Sequence, residues 1–201
     1  FNRKNNIGNK YFSWFNDKNY NLDTVSKYNR FTGYWQTIET LNQNKKFILD
    51  SFKRDSLFLE GINNQPTVGS TSLHIRRSDY INMKEELSLD YYKNALTYAS
   101  QNIENFHYEI FTDDEKWVRE QSIFQSATKL HPFKNTKENT KKSFISMLKN
   151  ENFIIANSSY SLLASFVKEN SNSTILYPDP WFKNLSYQKL NRDNWIPIVN
   201  N

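Results

Sequence analysis

The chain has no cysteine, only four glycines and no long apolar run, and each absence excludes a class of function. Without cysteine there is no disulfide, no thiolate nucleophile and no zinc–thiolate centre, and a reducing compartment fits. Glycine is confined to Gly8, Gly33, Gly61 and Gly69, so neither a G-x-G-x-x-G fingerprint nor a P-loop can be written. Any phosphate must be held another way. No stretch approaches the ~18–20 consecutive apolar residues of a membrane-spanning helix, and no signal peptide is visible. The chain opens on Phe1 rather than Met, which predicts further sequence ahead of it.

What is present is enough for one large domain, or one domain and a piece of another, within 201 residues. The apolar share is a modest 37%, but 15 Phe and 12 Tyr supply bulk for a core. Lys and Arg number 26 against 21 Asp and Glu, a net charge of +5. The lysines are dispersed, which reads as a solvated surface and is compatible with attraction to anionic headgroups or a nucleotide.

Residues 1–30 are polar and aromatic without a clean period and read as the tail of a preceding element. Phe31–Gln36 reads as an aromatic turn or strand, followed by one helix from Ile38 to Phe52 with Ile38, Leu41, Ile48 and Phe52 on one face. Gly61 to Gly69, containing Pro66, is expected to be loop and the best internal boundary. Beyond it the pattern alternates. Strands are expected at Val68–Arg76, Phe106–Thr112, Ala127–Leu130, Phe153–Ala156 and Thr174–Tyr177. Helices are expected at Leu89–Asn102 with Ser88 as N-cap, Asp114–Ser122, Lys137–Lys149 and Ser158–Glu169. This rhythm indicates an α/β fold with a Rossmann-like, mainly parallel sheet.

Three expected strand ends carry polar clusters, and in a parallel sheet those ends share one edge. The first is His74 with Arg76, on the same face of a strand whose Leu73 and Ile75 face the other way. The second is Thr112-Asp113-Asp114. The third, Asn157-Ser158-Ser159-Tyr160-Ser161, opens a helix, where unpaired N–H groups and hydroxyls can hold an anion. Each has a plain alternative: a satisfied structural histidine, or helix capping by Asp113, Asp114, Asn157, Ser158 and Ser159. Together they suit a diphosphate, with Arg76 supplying a planar fork of donors. Asp113-Asp114 has no obvious third partner for a metal, and a nearby Arg76 can replace a cation.

These residues carry a resemblance. Leu73-His74-Ile75-Arg76-Arg77-Ser78-Asp79-Tyr80 resembles the H-x-R-R-G-D-Y signature of glycosyltransferase family 11, the bacterial α-1,2-fucosyltransferases. Gly33-Tyr34-Trp35-Gln36, Leu89-Asp90-Tyr91-Tyr92, Ile110-Phe111-Thr112-Asp113-Asp114, Ile154–Ser161, Pro180-Trp181-Phe182 and Asn194–Ile198 are similar to further family segments in the same order. Ser78 stands where the family has Gly, a residue that would be strained at positive φ. Leu162-Leu163-Ala164-Ser165 replaces a W-W-G-A, and the family's N-terminal G-G-L-G-N-Q is absent.

The resemblance implies a GT-B-type enzyme, with residues 1–62 the remainder of the N-terminal, acceptor-side half and 63–201 the GDP-sugar-binding half. The implied reaction moves L-fucose from GDP-L-fucose to a galactose hydroxyl, with inversion and no metal or other cofactor. His74 and Asp113 or Asp114 would contact the guanosine, Arg76 the diphosphate, and Ser158, Ser159, Tyr160 and Ser161 the phosphates or fucose. Arg76 is the expected catalytic residue; Asp79 is the nearest candidate for a base. The partners would be the GDP-sugar and a glycan ending in galactose, such as O-antigen, with no nucleic acid. The setting would be the bacterial cytoplasm, with peripheral contact to the inner membrane face compatible. The competing readings are a non-catalytic GDP-sugar module and a fucosyltransferase of α-1,6 or peptide O-fucosyl specificity.

Overall fold

The computed structural model of the protein describes residues 13–16, 29–32, 37–133, 136–184, 190, 192 and 194–200. The chain divides into two compact units, Phe1–Gln36 and Thr37–Asn201. In the first, strands β1 (Ser13–Asn16) and β2 (Asn29–Thr32) pair in parallel, Ser13 opposite Asn29. The segment Gly33–Gln36 lies outside the described residues.

The second unit opens with helices α1 (Ile38–Gln43), α2 (Lys45–Lys53) and α3 (Ser56–Asn63). Strand β3 (Ser70–Ile75) and helices α4 (Ser78–Met83) and α5 (Leu89–Asn102) follow. Then come β4 (His107–Thr112), α6 (Glu115–Glu120), β5 (Lys129–Pro132) and α7 (Lys137–Met147). Strand β6 (Asn152–Ile154), helix α8 (Ser159–Lys168) and strands β7 (Ile175–Asp179) and β8 (Trp195–Val199) complete the unit. The sheet has six strands in the order β5-β4-β3-β6-β7-β8, and every pair is parallel. The chain therefore starts at the centre, winds outward through β4 and β5, returns beside β3 as β6, and winds the other way. This is the Rossmann-like sheet that the rhythm of the sequence indicates.

Alternation along the strands feeds two cores. Leu73, Ile75, Ile110, Ile154 and Leu176 meet Tyr91, Tyr92, Ala95 and Ala99 of α5 on one face. Phe111, Phe153, Ile155, Ile175 and Tyr177 meet Phe144 of α7 and Leu162 and Phe166 of α8 on the other. Each fully buried Leu, Ile or Phe among them contributes about 1.5–3 kcal/mol. With both faces covered, all of β3 is buried, including its polar residues. These find partners: the Ser72 hydroxyl donates to the Met147 carbonyl at 3.1 Å and accepts from Asn150 Nδ2 at 3.0 Å. Gly69 enters β3 at φ +80, where an added Cβ would lie 2.3 Å from the Glu104 carbonyl oxygen.

The structure departs from the sequence expectations in four places. The single helix 38–52 is broken at Asn44, whose Nδ2 donates to the Thr40 carbonyl and ends α1. Gly61 is not loop but the buried interior of α3, and a Cβ there would meet Ile145 and Leu148 at 3.3 Å, so its small size lets α3 lie against the α7 region. The buried Lys168 ammonium caps the end of α3, donating to the carbonyls of Ile62 at 2.9 Å and Asn64 at 2.7 Å. Helices α1–α3 thus belong with the sheet, and the compact units divide after Gln36, upstream of the boundary placed at residue 62. Helices α3 and α4 and strand β8 are elements that the sequence pattern does not announce.

Candidate functional site

In an open sheet of this winding, a crevice forms outside the carboxyl ends of the two central strands, where the winding reverses. Here that point lies between β3 and β6. The three polar clusters gather around it.

On the β3–β4 side the arrangement follows from register. Ile75 is paired with Thr112, so the next residues, Arg76 and Asp113, leave the sheet together. Arg76 Nη1 lies 2.7 Å from Asp113 Oδ2, and Arg76 Nη2 lies 2.6 Å from Asp79 Oδ1 on α4. The Arg77 backbone N–H donates to Asp113 Oδ1 at 2.9 Å. Its guanidinium donates to Asp114 Oδ2 at 3.2 Å and lies 4.0 Å from the centre of the Trp117 ring. Asp114 also caps α6, accepting from the Trp117 N–H at 3.1 Å. Two arginines thus face three aspartates, and the cationic strand end is fully neutralised by the chain itself.

On the β6–α8 side no charge is used. Ser158 is the N-cap of α8, its hydroxyl accepting from the Tyr160 N–H. Ser159 is exposed in the first turn, where helix N–H groups lack partners. Asn157 is fully buried; its Nδ2 donates to the Glu85 carbonyl at 2.7 Å, and its own carbonyl accepts from Tyr80 at 2.9 Å. Ser161 is also fully buried, its hydroxyl 2.8 Å from His74 Nδ1 and 3.3 Å from the Ala156 carbonyl oxygen. Ser161 therefore supports His74 from within the fold rather than lining the open crevice. The Tyr160 hydroxyl donates to the Thr140 carbonyl at 2.8 Å, and its burial pushes the phenol up to about 12.

His74 joins the two sides. Burial, and then the nearby Arg76 charge, pull its pKa from 6.5 down to about 3, so it is a neutral imidazole at physiological pH. Its ring lies among Tyr160, 5.4 Å away, and Phe133, 6.2 Å away. With its one hydrogen directed at the Ala156 carbonyl, Ser161 accepts from Nδ1–H and leaves Nε2 as an acceptor. Nε2 and the Asn157 Oδ1 are both buried without a hydrogen-bond partner. Native structures rarely tolerate that without a ligand or water to use them.

The structure places His74, Arg76, Asp113, Asn157 and Ser158 at the ends of β3, β4 and β6 beside the reversal point, and gives Asp114 and Ser161 supporting contacts. Asp79, the candidate base, is held on Arg76. Ser78 opens α4, and among the described residues only Lys84, Asn105 and Gly69 have positive φ, so its replacement of glycine brings no strain. Sequence reasoning missed Tyr80 and Glu85. Glu85 is buried and accepts from the backbone N–H groups of Lys183 at 2.6 Å and Asn184 at 2.8 Å, fastening these two residues to the end of α4. In sequence it is one of three consecutive charges, Lys84-Glu85-Glu86, and looks like surface. Beside the start of α8 lies a cleft of about 610 Å³ with Phe52, Phe58, Phe144, Tyr160 and Leu163 in its wall and Lys141 and Ser159 beside them.

A doubly wound, all-parallel sheet whose winding reverses beside a helix start is a fold of the Rossmann class. The chain matches the glycosyl transferase family 11 profile over residues 1–199, and it belongs to that family. It is 28% identical to the O-antigen biosynthesis glycosyltransferase WbnK of Escherichia coli over 204 residues, 94% of this chain and 66% of that protein. It is 26% identical to an alpha-1,2-colitosyltransferase of Escherichia coli over 165 residues, 76% of this chain and 56% of that protein. The chain thus spans between about half and two thirds of the length of these relatives. No solved structure gives a significant match. Among the described residues no helix is long and apolar enough to cross a membrane.

Proposed function

We propose that this chain is the donor-binding part of a glycosyltransferase of O-antigen synthesis. It would transfer L-fucose from GDP-L-fucose to a galactose hydroxyl in α-1,2 linkage, with inversion and without a metal. The observation that carries the reading is Arg76, which leaves β3 beside the N-terminus of α8 at the point where the sheet reverses. The diphosphate of the donor would lie between the Arg76 guanidinium and the free N–H groups and Ser159 hydroxyl of the first turn of α8. His74 Nε2, with Asn157 behind the same edge, would meet the nucleoside side.

In such a transfer the bond between the sugar's anomeric carbon and the β-phosphate oxygen breaks through an oxocarbenium-like state. The acceptor hydroxyl attacks the opposite face of that carbon and gives up its proton, and the electron pair of the broken bond stays on GDP. Negative charge therefore grows on the phosphate oxygens, and fixed donors aimed at them lower the barrier. Arg76 is the residue assigned that task. One oxygen of the Asp79 carboxylate is paired with Arg76 in this conformation, which makes it a weaker base. The same reading puts the protein in the bacterial cytoplasm, where a nucleotide-sugar donor is available, with the acceptor glycan presented at the inner membrane face.

A second reading is favoured by the relative named as an alpha-1,2-colitosyltransferase: the sugar transferred would then be colitose, here tested as GDP-colitose. Incubating the full-length protein with each GDP-sugar and a panel of galactosides, with and without EDTA, separates the readings. Turnover of GDP-L-fucose that survives EDTA is the expected result. Preference for GDP-colitose would move the assignment to the second reading. GDP binding without turnover of either donor would reduce the chain to a binding module.

A further inference from the structure

Arg76 is held by two carboxylates, and they are not equivalent. Asp113 comes from beneath, its side chain only 6% exposed, and is fixed a second time by the Arg77 backbone N–H. Asp79 comes from the solvent side, its side chain 59% exposed, and Arg76 is its only partner among the described residues. It rides on α4, a six-residue helix with no buried residue and no side-chain N-cap, ended by Lys84 in the left-handed region at φ 56. The helix itself is tethered one residue further on, where the Tyr80 hydroxyl holds the Asn157 carbonyl. Asp79 can therefore let go of Arg76 by turning its side chain, without unfolding α4.

We infer that Asp79 is a displaceable counter-ion for Arg76: it occupies the guanidinium edge that a diphosphate would take, and ligand binding exchanges one anion for the other. The inference rests on the donor-site reading above and adds to it how the site is kept when empty. Asp113 stays in place on Nη1 and aims the fork, while the Nη2 edge passes from Asp79 to a phosphate oxygen. No bond is made or broken, and the charge at Arg76 is compensated before and after. The geometry fits the energetics, since a carboxylate–arginine pair with its carboxylate in solvent is weak, whereas a diphosphate brings more charge and also uses the helix N–H groups. Asp79 thus acts through Arg76 as a positioning residue. Its cost is some affinity for the donor, and its effect is a guanidinium already extended toward the crevice.

The test is calorimetry of GDP and, separately, inorganic pyrophosphate with the full-length protein and its Asp79→Asn, Asp79→Ser, Asp79→Glu and Arg76→Ala variants. Removing the competing carboxylate is expected to tighten both ligands, by up to roughly fivefold. Asp79→Glu should keep the weaker, wild-type-like affinity, and Arg76→Ala should weaken both ligands by about 10–100-fold. A purely structural role for Asp79 would weaken or leave unchanged the binding in the Asn and Ser variants. That result, with Arg76→Ala still weakening both ligands, overturns the counter-ion while leaving the donor site standing. If neither ligand binds the wild-type protein, the donor-site reading falls, and the exchange falls with it. The Ser variant carries the test should the Asn variant fold poorly.

Discussion

The two strand ends that flank the reversal point solve the same problem by opposite means. At the end of β3 and β4, charge is set against charge: Arg76 and Arg77 against Asp79, Asp113 and Asp114, at the edge of solvent. At the end of β6, Asn157, Ser158 and Ser161 are buried and neutral, held by backbone carbonyls and by one imidazole. Ion pairs at a surface can be exchanged for another anion at little cost. Buried hydrogen bonds cannot be given up without a penalty, because what is uncovered stays out of water. On the donor-site reading, the charged side would adapt to a ligand and the neutral side would fix where it sits.

The sharpest way to break the comparison is at its charged side. Arg76→Ala should lower GDP affinity by about 10–100-fold, the loss of charge-assisted hydrogen bonds. Turnover of the full-length protein should fall by about 10²–10³, because the charge that develops on the leaving phosphate is then uncompensated. Calorimetry and single-turnover assays read the two numbers. If affinity falls but turnover at saturating donor does not, Arg76 binds the ground state only and another group must act on the leaving GDP.

The neutral side should betray itself through pH. The unfolded chain takes up a proton at His74 near its ordinary value of 6.5, the folded chain only near 3. Between those values the unfolded state binds more protons, so stability falls as pH is lowered, by up to about 1.4 kcal/mol per unit. Glu109, whose carboxyl is lowered chiefly by the hydrogen bond with His131, contributes stability that is present above the ordinary carboxylate value of 4.5 and is lost as pH falls from there, below the window used for His74. Urea unfolding between pH 7 and 5 therefore isolates His74: the midpoint should drop in the wild type and stay nearly flat in His74→Gln. Equal slopes in the two proteins would mean that His74 is charged, or open to water, in the folded state.

How much of this was legible in the sequence divides along the same line. The alternation of Leu73 and Ile75 with His74 and Arg76 puts the strand on its two faces, and β4, α5 and the start of α8 are bounded to within a residue or so by their apolar periods and by the caps Ser88 and Ser158. What joins the clusters was not legible, because the salt bridge of Arg76 with Asp113 depends on the register of β3 with β4, residues 36 and more apart in sequence. Helix α4 is six residues long, too short for a period to show. Strand β8 carries Pro197, which argues against a central strand; it is an edge strand, where a missing N–H is tolerated. Glu85 was hidden for a related reason: nothing local distinguishes a buried carboxylate from the exposed charges beside it.

The smallest predicted effect concerns the residue at which the charged side begins. Ser78 replaces a glycine that the resemblance leads one to expect, and a glycine requirement would mean a left-handed backbone there. The structure instead makes Ser78 the first residue of α4, outside the positive-φ set of the described residues. Ser78→Gly should then give no stability, and should cost a few tenths of a kcal/mol from the greater freedom of glycine in the unfolded chain. Thermal unfolding of the two proteins measures it, with GDP affinity as a second readout. A gain of 1 kcal/mol or more would show that the turn after Arg77 is strained by its side chain. The position of Asp79, and with it the whole exchange at Arg76, would then be set by backbone strain rather than by the ion pair.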